Sequence, residues 1–176
     1  MTSAQNREIR WFVCHTKPRC EKRFADLLES QDLDHYLPLY ERQHLYHNHR
    51  LNRKEVKRFT KPLFPSYVFC RLPLDRKAEA YQRDYVVRLI AVEDEVRFLQ
   101  QLDSIKRLIE AGVELELCPP LEKGTRVRIT RGPLIGVHGV VDDPQDPTAI
   151  VVAVDILRQG VLTRIPDHDL EVVEEE

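Results

Sequence analysis

The pattern of apolar and turn-forming residues changes near residue 120, and this change constrains the fold more than any other feature. Upstream, apolar runs with strand composition alternate with segments of helical periodicity over roughly 105 residues. Downstream, five short strand-like segments follow within roughly 50 residues, separated by turns rich in glycine and proline. Pro119 and Pro120 lie between the two regions and block a continuous helix. We therefore expect two modules, residues 8–112 and 123–174, joined by a linker over residues 113–122.

The upstream module has the pattern of an α+β fold, in which helices pack on an open sheet. Apolar and aromatic runs predict strands, and apolar residues at spacings of three and four predict helices. The strands are predicted over residues 9–15, 34–39, 66–72 and 86–92, and the helices over residues 20–31, 75–84 and 96–112.

One segment of this module, residues 41–61, does not have the composition of a buried core. It is poor in aliphatic residues, and six of the twelve residues from Arg50 to Lys61 are Lys or Arg. Because charged side chains are rarely buried, the segment predicts a projecting β-hairpin. We favour phosphate contact as the explanation for its charge, since pairing along a helix cannot apply to a hairpin.

Charge is divided unequally along the chain, although the net charge is only −2. Residues 1–72 carry 14 Lys and Arg against 8 Asp and Glu, a net charge of +6. Residues 73–176 carry 13 against 21, a net charge of −8. This division indicates that only the front half faces nucleic acid, with a chance division of charge as the alternative.

Several functional classes find no support in the sequence. It contains no nucleophile elbow, P-loop, zinc-protease or dinucleotide-binding motif, so we do not expect an enzyme. No apolar run approaches the roughly 20 residues that span a bilayer, and the N-terminal residues lack the apolar stretch of a signal peptide. We expect a cytoplasmic, monomeric protein without a cofactor or a membrane partner. Its four cysteines form no CxxC pair and are predicted to be free thiols.

The downstream module predicts a small closed β-barrel. Strands are predicted over residues 125–130, 137–141, 149–156, 161–165 and 170–173. Its glycines are expected where the chain turns with a positive φ angle. Pro133, Pro144 and Pro147, with the β-branched run 150–154, favour strands over a helical form of this module.

Two segments carry recognisable motifs. Lys123 to Val141, KGTRVRITRGPLIGVHGVV, is similar to a KOW motif, with matches at Gly124, Val127, Ile129, Gly132, Pro133, Leu134, Gly136, Gly139 and Val141. Pro62 to Leu72, PLFPSYVFCRL, is similar to the FPGYV strand of an NGN domain, and Trp11 also matches that domain. KOW motifs alone occur in ribosomal proteins, but an NGN-like module followed by a KOW motif resembles the NusG family along nearly the whole chain.

The resemblance implies an NGN-type α/β sandwich with an antiparallel sheet, followed by a small SH3-like five-stranded barrel, the KOW domain. It implies a transcription elongation factor that binds RNA polymerase and modulates elongation by antitermination. The segments WFVCHTKPRCEKRFADLLESQ and KPLFPSYVF are similar to specialised, operon-specific RfaH-like paralogues. The alternatives are a housekeeping NusG that acts with Rho, and a ribosome-associated KOW protein that binds RNA.

In this family, the NGN domain docks a hydrophobic patch on the clamp helices of the largest polymerase subunit. The matching positions here are Trp11, Phe64, Pro65, Tyr67 and Phe69. Aromatic side chains suit such a contact, because they bury a large area at a small entropic cost. Tyr67 and Phe69 share one face of their strand, since strand residues alternate. One face of that strand must form the core, which is the alternative role for these side chains.

The resemblance also implies contact with the non-template DNA strand of the transcription bubble, through basic residues that follow the first strand. With the basic residues of the hairpin, the predicted nucleic-acid-binding set is Lys17, Arg19, Lys22, Arg23, Arg50, Arg53, Lys54, Lys57 and Arg58. Binding a single strand requires positive charge for its phosphates and flat groups for its bases. A solvated helix face is the alternative for the first four residues.

The KOW domain in this family recruits a second partner, either the termination factor Rho or a ribosomal protein. The partner loop resembles residues 154–160, in which Leu157 stands where the family has Phe. Ile156 and Leu157 are therefore the predicted apolar contacts of this loop.

Three histidines, His44, His47 and His49, have the spacing H-x2-H-x-H within the predicted hairpin. The run has no carboxylate or Cys in register, so we do not expect a metal ligand set. Proximity to phosphates is the simpler explanation for these side chains.

Overall fold

A computed structural model describes residues 8–48, 50–119 and 124–173. The chain divides into two compact units, with the boundary after Ile90. The strands of the first unit are β1 (Ile9–Thr16), β2 (His35–Tyr36), β3 (Leu39–Asn48), β4 (Arg53–Pro62), β5 (Tyr67–Pro73) and β6 (Val86–Ala91), and its helix is α1 (Glu21–Ser30). The residues predicted as a second helix, 75–84, instead form a 3-10 helix over Leu74–Tyr81.

The core of the first unit depends on the antiparallel pairing of β1 with β5, the two inner strands of a sheet in the order β2-β5-β1-β6. Cys14 lies opposite Val68, and Phe12 lies opposite Cys70. Alternation of side chains directs one set of residues from both strands to the face that α1 covers. The buried cluster on this face includes Phe12, Cys14, Phe24, Leu28, Val68, Cys70 and Leu72.

The helix α1 forms because its apolar residues recur on one side. Phe24, Ala25 and Leu28 are buried and face the sheet, and the remaining positions are mostly polar and exposed. The helix ends where Asp32 adopts the left-handed conformation, with a φ angle of 56°. The amide of Leu33 donates to the Leu28 carbonyl at 3.0 Å, which satisfies a carbonyl of the last turn.

A buried carboxylate joins the start of α1 to the turn before β5. The Ser66 amide donates to Glu21 Oε1 at 2.7 Å, and Glu21 is only 7% exposed. Ser66 has a φ angle of 66°, in the left-handed region, and its carbonyl accepts a bond from the Thr16 amide at 2.8 Å. Glu21 therefore fixes the unusual backbone that leads the chain into β5.

The second unit combines a helix with a small β domain. Its elements are α2 (Glu95–Glu110), β7 (Glu116–Cys118), β8 (Arg126–Ile129), β9 (His138–Asp143), β10 (Asp146–Val154), β11 (Gln159–Arg164) and β12 (Leu170–Val172). The strands form one antiparallel sheet in the order β12-β8-β9-β10-β11-β7. Asp94 caps α2, since its Oδ1 accepts a bond from the Arg97 amide at 3.0 Å.

The predicted class, mixed α and β with antiparallel sheets and a small KOW-like β domain at the end, is confirmed. All five strands predicted for the downstream module occur, and Gly132 and Gly136 have φ angles of 74° and 84°, as their turns require. The segment predicted as a linker contains β7, because Leu117 and its neighbours pair with β11. The domain limits 8–112 and 123–174 remain predictions. No helix in the described ranges is long and apolar enough to cross a membrane.

We expect Glu21→Ala to destabilise the protein by about 1–3 kcal/mol, because the part-buried Ser66 amide would lose its acceptor. Urea denaturation of the purified chain measures this change. Glu29→Ala, at an exposed position of the same helix, is the matched control and should change stability by less than about 0.5 kcal/mol. Equal losses in the two variants would contradict a special role for Glu21.

Candidate functional site

The face of β1 and β5 opposite the α1 core carries a row of aromatic side chains. His15 lies opposite Tyr67, and their rings stack with centroids 5.2 Å apart. Phe69 stacks on Tyr36 of β2 at 6.5 Å and meets the edge of Phe64 at 6.3 Å. The prediction that Tyr67 and Phe69 share the face away from Val68 and Cys70 is confirmed.

The five residues predicted to bind polymerase differ in exposure. Phe64 and Phe69 are fully buried. Trp11 and Tyr67 are half-buried, and Pro65 is exposed. Trp11, Pro65 and Tyr67 can therefore present atoms directly to a partner, whereas Phe64 and Phe69 are buried and pack against each other. Their assignment to a polymerase contact remains a prediction.

Two of the four basic residues that follow β1 have partners within the first unit. Lys17 forms an ion pair with Asp84. Lys22 Nζ donates to both the carbonyl and the Oγ1 of Thr60, at 2.9 and 3.0 Å, and so joins α1 to the base of the hairpin. Arg19 and Arg23 are exposed. Lys22 thus has a structural contact that the sequence did not reveal.

The predicted projecting hairpin exists as β3 and β4, which form a two-stranded sheet of their own. Ten cross-strand pairs run from Leu39 opposite Pro62 to Asn48 opposite Arg53. At the usual rise for a strand, its length is roughly 30 Å. Most of its side chains are exposed, as its composition predicts. His49 lies outside the described residues.

Glu55 organises the outer end of the hairpin. Its carboxylate accepts bonds from Tyr46 Oη at 2.8 Å, Asn48 Nδ2 at 3.1 Å and Arg53 Nε at 2.8 Å. Hydrogen bonds from Asn48, Arg53 and Tyr46 lower the pKa of Glu55 below its ordinary value. The hydrogen bond between Tyr46 and Glu55 also raises the pKa of Tyr46 above its ordinary value. Arg53, predicted to bind nucleic acid, is therefore already engaged by this carboxylate.

The register of the hairpin separates its basic residues into two sets. Arg53 and Lys57 lie on the face that carries Tyr40 and Phe59, whereas Lys54 and Arg58 lie on the other. The part of the first set's face that lies nearer the base of the hairpin, here called the aromatic face, consists of Tyr40, Arg42, His44, Lys57, Phe59 and Lys61. Sequence analysis missed Tyr40, Arg42, Phe59 and Lys61, because composition does not reveal which residues of two strands share a face.

The loop predicted to bind a second partner contacts α2. Asp155 accepts bonds from Gln101 Nε2 at 2.8 Å and pairs with Arg97 at 2.5 Å. Leu157 is buried, and Ile156 is half-buried. Of the predicted pair, Ile156 is therefore accessible to a partner, whereas Leu157 is not.

The four cysteines are free thiols, and two of them are fully buried. Burial, with the neighbouring Cys70 thiol, raises the pKa of Cys14 well above its ordinary value. A protonated, buried thiol is a poor nucleophile and a poor metal ligand. Within the described ranges, no group of three His, Cys, Asp or Glu side chains is placed to hold a metal ion.

The lowered pKa of Glu55 predicts a pH dependence of the hairpin tip. Because the folded pKa lies below the unfolded value, the stabilisation is complete above the unfolded pKa and is lost as pH falls through the folded one. We expect amide hydrogen exchange at residues 46–55 to accelerate, relative to the intrinsic rate, as pH is lowered through this range. In Glu55→Gln, the same amides should exchange fast at every pH. If the variant's exchange profile equals that of the parent protein, the Glu55 network does not stabilise the tip.

Comparison with known proteins adds three findings. The family model described as "Transcription termination factor nusG" matches residues 9–113. A solved structure described as "Domain interaction in Thermotoga maritima NusG" is 18% identical, covers 95% of this chain and 98% of that chain, and has a TM-score of 0.50. The MjSpt4:Spt5 complex is 15% identical over 94% of this chain and 97% of that chain, but its TM-score of 0.30 supports no argument.

No curated protein sequence matches the chain. The likeness to Thermotoga maritima NusG concerns the fold alone, because the two sequences are only 18% identical. The family model is the stronger finding, since residues 9–113 are more than half of the 176 residues. The chain therefore belongs to the NusG family of transcription factors.

Proposed function

We propose that this protein binds RNA polymerase during elongation and acts as an operon-specific antitermination factor. The observation that carries the proposal is the shared face of β1 and β5 that carries Trp11, Tyr67 and Phe69, opposite the α1 core, with Trp11 and Tyr67 partly exposed. The family membership supports a role in transcription elongation that depends on binding rather than on catalysis. Such a role belongs to the cytoplasm, where polymerase acts.

The polymerase contact follows from the chemistry of the aromatic row. Tyr67 is half-buried, and its stack on His15 restricts the orientation of the ring. A ring that is already ordered loses little entropy on binding, which is why aromatic residues dominate interface energetics. Apolar clamp helices of the largest polymerase subunit would suit Trp11, Pro65 and Tyr67, while Phe64 and Phe69 are buried on the same side of the sheet.

The nucleic-acid contact follows from the charge of the hairpin. Residues 39–62 carry seven Lys and Arg against two Glu, a net charge of +5. Arg19 and Arg23 add two exposed cations beside β1. We propose that cations of this hairpin, with Arg19 and Arg23, face the non-template DNA strand of the transcription bubble, where neutralising phosphates releases counterions.

A second partner is proposed for the β domain at the loop over residues 155–157. Ile156 is the accessible apolar side chain of this loop, and Asp155 supplies a charge beside it. Rho and a ribosomal protein are the two candidates. The loop is small, so we propose a transient contact rather than a permanent one.

We expect Tyr67→Ala to weaken binding to core RNA polymerase by about 10- to 30-fold, the usual loss at an interface hot spot. Surface-immobilised polymerase and purified full-length variants give this affinity directly. Tyr81→Ala is the matched control, because Tyr81 is an exposed tyrosine elsewhere in the first unit. If both variants bind polymerase as the parent does, with unchanged thermal unfolding, the proposed patch is wrong.

We also expect the double charge reversal Arg23→Glu and Arg50→Glu to weaken binding to a bubble template and to reduce its salt dependence. Each lost phosphate contact should lower the slope of log affinity against log salt by about 0.7 for a single strand. Arg88→Glu with Arg128→Glu makes the same change of charge at exposed positions that are not part of the hairpin. An equal reduction of the slope in both double variants would show that only net charge matters.

A further inference from the structure

The aromatic face of the hairpin carries an alternating square of two rings and two cations. Tyr40 lies opposite Lys61, and Arg42 lies opposite Phe59. Along the strands, the Arg42 guanidinium lies over the Tyr40 ring at 5.6 Å, and Lys61 Nζ lies over the Phe59 ring at 5.2 Å. Each ring therefore has a cation beside it both along its own strand and across the hairpin.

Charge and aromatic surface are concentrated on the same side. The side that contains the aromatic face carries Arg42, Arg53, Lys57 and Lys61 against Glu55, a net charge of +3. The other side carries Lys54 and Arg58 against Glu41, a net charge of +1, and Glu41 pairs with Arg58 at 3.5 Å. The exposed residues near the middle of that side are aliphatic, with Leu45 opposite Val56. The two sides thus differ in chemistry as well as in charge.

The hairpin is held at both ends, so the square is ordered before any ligand binds. Glu55 joins three side chains near the tip, and Lys22 holds Thr60 at the base through two hydrogen bonds. Tyr40 and Phe59 are half-buried, which leaves part of each ring accessible. An ordered ring with an accessible face is the arrangement on which a nucleic-acid base stacks.

We propose that the aromatic face binds a single-stranded nucleic acid by stacking its bases on Phe59 and Tyr40. Arg42 and Lys61 would leave the rings and meet the phosphates, since long cationic side chains reorient readily, and Lys57 extends the cationic path toward the tip. Diagonal positions on a hairpin are about 7 Å apart, which allows one base on each ring. A duplex keeps its bases stacked inside, so this site selects single strands. The inference deepens the nucleic-acid part of the proposed function and does not depend on polymerase binding.

The test uses the full-length protein and three fluorescein-labelled probes of equal length: oligo-dT, oligo-U and a blunt DNA duplex. Anisotropy titrations at several salt concentrations give the affinity and the salt slope. We expect Phe59→Leu and Tyr40→Leu each to lose about fivefold or more in affinity for single strands, with an unchanged salt slope. Loss of ring stacking without loss of charge predicts this combination.

The matched pair of charge variants compares the two sides of the hairpin. Arg42→Gln with Lys61→Gln should lower the salt slope by about 1.4. Lys54→Gln with Arg58→Gln should lower it much less, because the proposal narrows the predicted nucleic-acid-binding residues of the hairpin to the side that contains the aromatic face. All four proteins are checked by circular dichroism and thermal unfolding. If Phe59→Leu loses stability, the two charge variants still test which side of the hairpin binds the strand, because Gln replacements at exposed positions leave the strands intact.

Photocrosslinking identifies the stacked residues directly. An oligonucleotide with 5-iodouracil should crosslink to Phe59 or Tyr40, as read by mass spectrometry of the digested adduct. Equal affinity for duplex and single strands with unaffected ring variants, or crosslinks only to the Leu45 and Val56 side, would overturn the proposal. Similar binding of oligo-dT and oligo-U supports stacking that does not depend on the sugar. Polymerase binding measured on the same variants separates a failure here from a failure of the proposed function.

Discussion

The antiparallel register of β1 against β5 is the constraint on which the first unit depends. It directs Phe12, Cys14 and their partners into the core, and it leaves His15 and Tyr67 on the opposite face. A shift of one residue would exchange these faces, because strand side chains alternate. Glu21 contributes to this register from outside the sheet, since it fixes the turn at Ser66 from which β5 begins. Core packing and the proposed interface are therefore consequences of one pairing.

The hairpin of β3 and β4 forms a separate two-stranded sheet, and it buries little apolar surface. A two-stranded ribbon is marginally stable by itself in water. Its pairing is supported by the Glu55 network near the tip and by the Lys22 contact at the base. The cations of the hairpin repel one another, and the Glu55 carboxylate near the tip offsets part of that repulsion. The contacts of Glu55 and Lys22 therefore stabilise the hairpin against the repulsion among its cations.

Periodicity made much of the fold predictable. The run over residues 9–15 and the spacing of Phe98, Leu102 and Ile105 predicted a strand and a helix that the structure contains. Pairing partners were not predictable, and this is why β7 was missed and the aromatic face was not recognised. The burial of Leu157 was hidden for the same reason, because it depends on packing that composition does not specify. Sequence identified the segments, and register decided which side chains act together.

The two proposed recognition surfaces of the first unit differ in chemistry. Tyr67 and Trp11 belong to an apolar face of the sheet, where binding energy comes from burial and shape. Phe59 and Arg42 belong to a ribbon whose cations act over about 8–10 Å at physiological salt. Long-range attraction brings a charged strand near the ribbon from many directions, but it does not distinguish one face from another. Stacking acts only in contact, so in the proposed complex the placement of the rings, rather than the number of cations, determines which face of the hairpin a strand occupies.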